Sequence, residues 1–234
     1  MVPGLDTASM ATVFLYLLMF GAYEVKWVGE LHKVMMLGED GGIIGLDTLR
    51  GKQHVYAIGP AEGLNGEITV FDSEPFIGVV RDGKPVVEHT FAVRAPLLVW
   101  TQVEKWNEVE IPSSVQSLAE LDKFVGEAAR KAGIDTTAPF PFRVTAHMHE
   151  IAMHIVNRQG REAAGHEGHE AIKVNIPLTR VQVELIGFWS DKHTGVFTHM
   201  GSNGHVHGRT TDNKLSGHVD SVKIGTGKLW LPAQ

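Results

Sequence analysis

His205, His207 and His218 are the residues whose types and spacing could most readily do chemistry: an H-x-H, ten intervening residues, then a third histidine. Alternate residues of a β-strand share a face about 6 to 7 Å apart, so His205 and His207 can converge on one ion if they lie on a strand. His218 would return from the next strand. Between them, Gly208 to Gly217 encloses Thr210, Thr211, Asp212, Asn213 and Lys214, a polar stretch suited to a hairpin or a longer β-connection. Three neutral imidazoles leave a tetrahedral Zn²⁺ one open position, as a catalytic rather than a structural site requires. The competing reading is a set of ordinary core or surface histidines. The chain holds 13 of them, and a second H-x-H stands at His147 and His149 with His154 close behind. Spacing alone leaves both readings open.

The elements that must position these residues are legible in outline. Over 234 residues, 43% hydrophobic and 21% charged, the chain has the composition of a globular protein with a substantial core. Val25 to Met36 carries apolar residues at mostly helical spacing before Gly38, which predicts a short helix. From Ile43 to Val103 the pattern becomes short β-rich runs, with Asp82-Gly83 as a tight hairpin turn. Ser117 and Glu120 form an S-x-x-E capping box before an apolar stripe of Leu118, Leu121, Phe124, Val125 and Ala128, and Gly133 follows as a stop. Further strands are predicted in PFRVTAHMH, EIAMHIV, IKVNIPL, VQVELIGFW, NGHVHG and GHVDSVKI, with an exposed loop from Arg158 to His169. The expected fold is α+β, mostly β: two packed mixed or antiparallel sheets with a few peripheral helices. One domain over 1–234 is expected, with sub-domains at 1–135 and 136–234.

Composition also excludes function classes. A net charge of -6 without a dense Lys/Arg stripe argues against nucleic acid. With no cysteine, there is neither a thiolate ligand nor a cysteine nucleophile, so any metal is held by histidine and carboxylate. No G-x-S-x-G elbow, H-E-x-x-H helix or phosphate-cradling loop occurs. A cupin-type iron site would want a glutamate soon after the H-x-H, and Gly208 to Leu215 supplies none. The apolar run Ala11 to Ala22 is shorter than the roughly 20 residues of a membrane span. It also lacks the basic start of a signal peptide, so a cytoplasmic protein is expected, with secretion through that segment as the alternative.

Three separated segments resemble the α-acetolactate decarboxylase family. The run IGFWSDKHTGVFTHMGSNGHVHGRTTDNKLSGHVDSVKI resembles its active-site region, with a "GF" strand, a loop, an H-x-H strand and a Gly-His. LNGEITVFD at Leu64 to Asp72 is similar to the family strand that carries an active-site glutamate, which falls on Glu67. PFRVTAHMHEI is similar to the strand that carries its active-site arginine, which falls on Arg143. The family also has a second active-site glutamate in a C-terminal extension, whereas no glutamate follows Glu184 here.

The resemblance implies decarboxylation of a 2-hydroxy-3-oxo acid, 2-acetolactate, to acetoin and CO₂. Zn²⁺ on His205, His207 and His218 would stabilise an enediolate as a Lewis acid. Arg143 would orient the carboxylate by a two-pronged contact, and Glu67 would deliver the proton. Other readings are a zinc hydrolase of small esters, with Glu67 as general base, and a metal-containing ligand-binding module without turnover. The expected partner is the small-molecule substrate, without nucleic acid or membrane, and a homodimer is compatible with the resemblance. His147 and His149 share a strand face with Arg143 by parity, Asp220 falls on the face of His218, and the roles of His193 and His199 stay open.

Overall fold

A computed structural model describes residues 23–234; the apolar run at 11–22 lies outside the described residues. The chain opens with β1 (Lys26–Val28) and α1 (Leu31–Leu37). There follow β2 (Ile44–Gly45), β3 (Val55–Pro60), β4 (Glu67–Phe71), β5 (Glu74–Arg81), β6 (Lys84–Glu88), β7 (Arg94–Ala95) and β8 (Leu98–Gln102). Next come β9 (Trp106–Glu110), α2 (Leu118–Lys131), β10 (Phe140–Val156), α3 (Gly165–Ala171), β11 (Lys173–Trp189), β12 (Gly204–Thr210) and β13 (Ser216–Pro232). Among the described residues, no helix is long and apolar enough to cross a membrane.

The strands form two main sheets and the small β2–β7 pair, and every ladder between named strands is antiparallel. The first sheet runs β1-β8-β3-β4-β5-β6. The second runs β10-β11-β12-β13-β9, and a β10–β13 ladder closes its first four strands into a ring. β9 therefore extends the sheet built mainly from the C-terminal half. Closure hides the strand edges that an open sheet would leave unpaired.

Side-chain alternation sorts the core into layers. The ring is packed with Phe142, Val144, Leu185, Val206, Val219 and Leu229, and α2 adds Leu121, Val125 and Ala129 to the same cluster. The other face of β11 turns Ile186 and Phe188 towards Tyr56, Phe71 and Phe76 of the first sheet. β4 shows the same period of two: Ile68 and Val70 enter a third cluster with Leu46 and Leu49, while Phe71 joins the inter-sheet layer.

α2 has the predicted capping box, with Ser117 accepting from the Glu120 backbone amide and the Glu120 side chain reaching back to the Ser117 amide. The Asp82-Gly83 turn joins β5 to β6 with φ of 51° and 74°, the pair of positive values that a tight hairpin turn of this hand needs. Two local expectations differ from the structure. The helix expected over 25–36 is confined to Leu31–Leu37, because Lys26–Val28 pairs with β8; aromatic Trp27 and branched Val28 fit that open edge. The loop expected over 158–169 ends in α3, which has no side-chain cap and buries His169, so packing rather than local signal makes this helix.

β10 is one 17-residue strand where two were predicted, and it is irregular. Its pairing with β13 shifts register between His147 and Met148, between Met148 and Glu150, and between Ala152 and Met153. Each shift disturbs the strict alternation of faces. As a result Arg143 and His154, at odd and even positions, both approach β4: Arg143 lies over Phe71, and His154 faces Glu67.

Candidate metal centre

The hairpin of β12 and β13 sets His207 opposite His218, and the β10–β13 ladder sets His218 opposite His154. Paired residues of antiparallel strands point to the same side, so these rings gather on the face turned towards the first sheet. The strands approach closely at Gly217, where a Cβ would lie 2.4 Å from the His154 carbonyl oxygen. Gly78 on β5 makes the matching approach between sheets, 2.3 Å from the Ser216 carbonyl oxygen for a Cβ.

The rings of His205, His207 and His218 have centroids 5.2, 5.2 and 5.5 Å apart. His199, from the irregular segment between β11 and β12, stands 5.1 Å from His205 and 5.0 Å from His218. Ring nitrogens of His199, His205 and His218 all lie within 4.8 Å of one another, as do ligand atoms of His154, His218 and Asp220. Nε2 of His199 and Nε2 of His218 face each other at 3.0 Å. Two nitrogens bound tetrahedrally to one zinc at about 2.0 to 2.1 Å would be roughly 3.3 Å apart.

The Nδ1 atoms of His205 and His207 are held as ligand histidines require, while Nδ1 of His218 is buried without a hydrogen-bond partner. Nδ1 of His205 donates to the Phe197 carbonyl at 2.7 Å, which leaves a lone pair on Nε2. Nδ1 of His207 hydrogen bonds with Thr69 Oγ1 across the sheets at 3.2 Å. Its Nε2 is buried without a hydrogen-bond partner, 3.7 Å from Glu67 Oε2. Asp220 accepts from Nδ1 of His154 at 2.8 Å and lies 3.7 Å from Nδ1 of His218. His154 presents its Nε2 to Glu67 Oε1 at 3.8 Å.

Burial sets the charge states. It pushes His199 down to about 4 and His207 to about 3, and holds His205 and His218 well below the ordinary imidazole value. Burial raises Glu67 well above the usual carboxylate range, since only 3% of the residue is exposed. At Asp220 burial acts upward, but the hydrogen bond from His154 and the nearby His154 and His218 rings outweigh it and keep the carboxyl well below its ordinary value. Burial thus favours the neutral imidazoles and the protonated form of Glu67, while Asp220 is favoured in its ionised form. This donor set fits a divalent transition metal such as zinc: imidazoles must be neutral to coordinate, and an orphaned buried Nε2 lacks any other partner.

A cavity of about 480 Å³ opens beside the cluster, with Glu67, His154, His199, His205, His218 and Asp220 among its lining residues. α1 and α3 form much of the remaining wall, and Lys173 is its one lysine or arginine. The Lys173 ammonium pairs with Glu170 at 2.5 Å and lies 3.7 Å from Asp220.

Of the residues singled out in the sequence, the three histidines and Glu67 come together. Arg143 is not part of the cavity lining. Its guanidinium lies 5.4, 5.7 and 5.4 Å from the ring centres of Tyr56, Phe71 and Trp106, and reaches Glu184 at 3.5 Å. Glu184 is shared with Arg209. His147 and His149 stack edge to face at 6.4 Å where the first two register shifts of β10 fall, and neither lines the cavity. His193 hydrogen bonds with Ser190 and stacks on Phe197, steadying the segment that carries His199.

His154, His199 and Lys173 were not assigned to the site from sequence. His199 sits in a segment without periodicity, His154 reaches the site only through the irregularities of β10, and Lys173 begins a strand as any solvated lysine could. His169, read as a loop residue, is buried on α3 and lines the cavity.

The profile of the family described as alpha-acetolactate decarboxylase matches residues 42–232. No curated protein matches the chain by sequence. Among solved structures, the acetolactate decarboxylase of Bacillus subtilis subspecies spizizenii superposes with a TM-score of 0.70 at 15% identity, covering 90% of this chain and 86% of that one. The alpha-acetolactate decarboxylase of Bacillus subtilis strain 168 gives the same values. A Staphylococcus aureus protein of unknown function, similar to alpha-acetolactate decarboxylase, gives 0.66 at 12% identity, covering 88% and 84%. At these identities the structural likeness is one of fold.

Proposed function

Because the chain belongs to the alpha-acetolactate decarboxylase family, we propose that it converts 2-acetolactate to acetoin and CO₂ with Zn²⁺ held by His205, His207 and His218. The observation that carries this reading is the gathering of His205, His207 and His218 beside the buried Glu67 carboxyl, next to a cavity that Glu67, His205 and His218 line. His205 and His218 belong to the ligand shell whether His207 or His199 supplies the third nitrogen, since both lie beside them. The ion, when bound, supplies positive charge that stabilises the negative charge left on the substrate oxygens as CO₂ departs.

The protein's own groups do the rest. The substrate carboxylate is oriented by Lys173, the cation that lines the cavity. Arg143, assigned to the carboxylate by resemblance, instead ties β10 and β11 to the first sheet through Tyr56, Phe71 and Glu184. The bond to the carboxylate carbon breaks and its electron pair stays with the substrate. Glu67 then gives its proton to the carbon that lost CO₂, and solvent restores that proton. Asp220 fixes the ring of His154, which in turn faces Glu67.

The test is to incubate zinc-loaded protein with racemic acetolactate and measure CO₂ and acetoin. One enantiomer should be consumed to completion before the other. No acetoin, together with turnover of a chromogenic ester, would replace this proposal with a zinc hydrolase.

A further inference from the structure

We infer that the preferred substrate is a 2-hydroxy-3-oxo acid whose alkyl group, on C2 or at the acyl end, is longer than methyl, in the range of about four to six carbons. The inference rests on the decarboxylase reading and adds the size and polarity of the substituent.

The cavity is large for acetolactate. About 480 Å³ falls within the range of roughly 300 to 1,000 Å³ that houses drug-sized ligands, whereas acetolactate is a compact five-carbon acid with two methyl groups. The clustered histidines, Glu67 and Asp220 meet on one side, and His32, His166, Glu170 and Lys173 add polar groups from α1, α3 and the start of β11. Elsewhere the wall includes Leu31, Val34 and Met35 of α1, Leu64, and Leu118 at the start of α2. A small polar substrate satisfies the histidine end and, among the described residues, nothing covers that apolar surface.

The mouth adds a separate observation. Met36 and Met200 both line the cavity and are 46% and 87% exposed, so two flexible apolar side chains stand in water where the cavity opens. Methionine adapts its shape to irregular apolar groups. An alkyl chain that runs from the metal end along α1 to this mouth covers both and needs no fixed length. With the carboxylate at the polar end, only the alkyl group can occupy the apolar wall.

The experiment is a homologous series of 2-hydroxy-3-oxo acids with methyl, ethyl, butyl and hexyl groups, placed in turn at C2 and at the acyl end. CO₂ release is measured with the zinc-loaded, full-length protein. Burial of each methylene should raise kcat/KM by about fourfold until the chain reaches the mouth, so the butyl compound should exceed the methyl one by several tens-fold. Met35→Trp should remove that advantage, read as a fall in the ratio of butyl to methyl kcat/KM towards one. Met200→Glu should lower the ratio of hexyl to butyl kcat/KM. A kcat/KM that is flat or falls with chain length in both series overturns the inference while leaving the decarboxylase reading intact. Failure of every member to release CO₂ removes the reading itself. If methyl turnover is retained but neither variant changes the length profile, the chain does not lie along α1 and the inference falls.

Discussion

Glu67 is the residue on which the proposed chemistry turns, because burial favours the protonated form of its carboxyl, the form that can donate. Burial supplies the upward push on its carboxyl, and the rings of His154 and His207 flank it at 3.8 and 3.7 Å. Glu67→Gln keeps the shape and removes the proton. Metal content should be unchanged while kcat falls by about 10² to 10⁴, the usual contribution of a positioned acid; a kcat within a few-fold of the original would remove Glu67 from the reaction. Histidine substitutions separate the ligands. His207→Ala should abolish both zinc and activity, whereas His199→Ala should bind zinc more weakly and keep measurable turnover. Metal analysis decides between them, and full zinc in the His207 variant would hand the third ligand position to His199.

Elements matter here through how closely they approach. β13 passes β10 at Gly217 with no room for a side chain, so Gly217→Ala forces the backbone beside His218 to move. The expected cost is about 1 to 3 kcal/mol of stability, accompanied by weaker zinc retention during dialysis against a chelator. α2 provides the contrast, because neither Ser117 nor Glu120 of its capping box lines the cavity. Ser117→Ala should cost about 1 kcal/mol and lower Tm by roughly 2 to 4 °C, with zinc content and kcat unchanged. If the two variants lose zinc equally, retention follows global stability rather than the β10–β13 approach. This capping box was legible from Ser117 and Glu120 because it is a contact within four residues of chain. β1 was not, since the strand edge on β8 that claims Trp27 and Val28 lies some 70 residues further along. α3 likewise takes its shape from what it covers.

At the scale of the whole molecule, buried titratable groups tie stability to pH in opposite directions. Burial lowers His169 from its ordinary 6.5 to about 4, so between those values the unfolded chain binds the proton and the folded chain does not. Its contribution is complete above the unfolded value and lost as pH falls towards the folded one. Glu67 has the reverse sign, because its raised pKa favours the folded state below the unfolded value of 4.5 and costs stability as pH rises above it. Denaturant unfolding should show stability falling from pH 7 to pH 5, with about 2 kcal/mol of that loss absent in His169→Asn; an unchanged slope would mean that His169 is solvated. The sequence by itself determined what depends on neighbours along the chain: the β-rich α+β class, the hairpin that places His205 and His207 opposite the strand of His218, and the capping box. Tertiary structure alone decided that His154 and His199 join this cluster, that Lys173 rather than Arg143 lines the cavity, and that Glu67 is buried. The reason is physical: the register shifts of β10, the closure of the ring and the stacking of two sheets are set by contacts between residues distant in the chain, which no local pattern records.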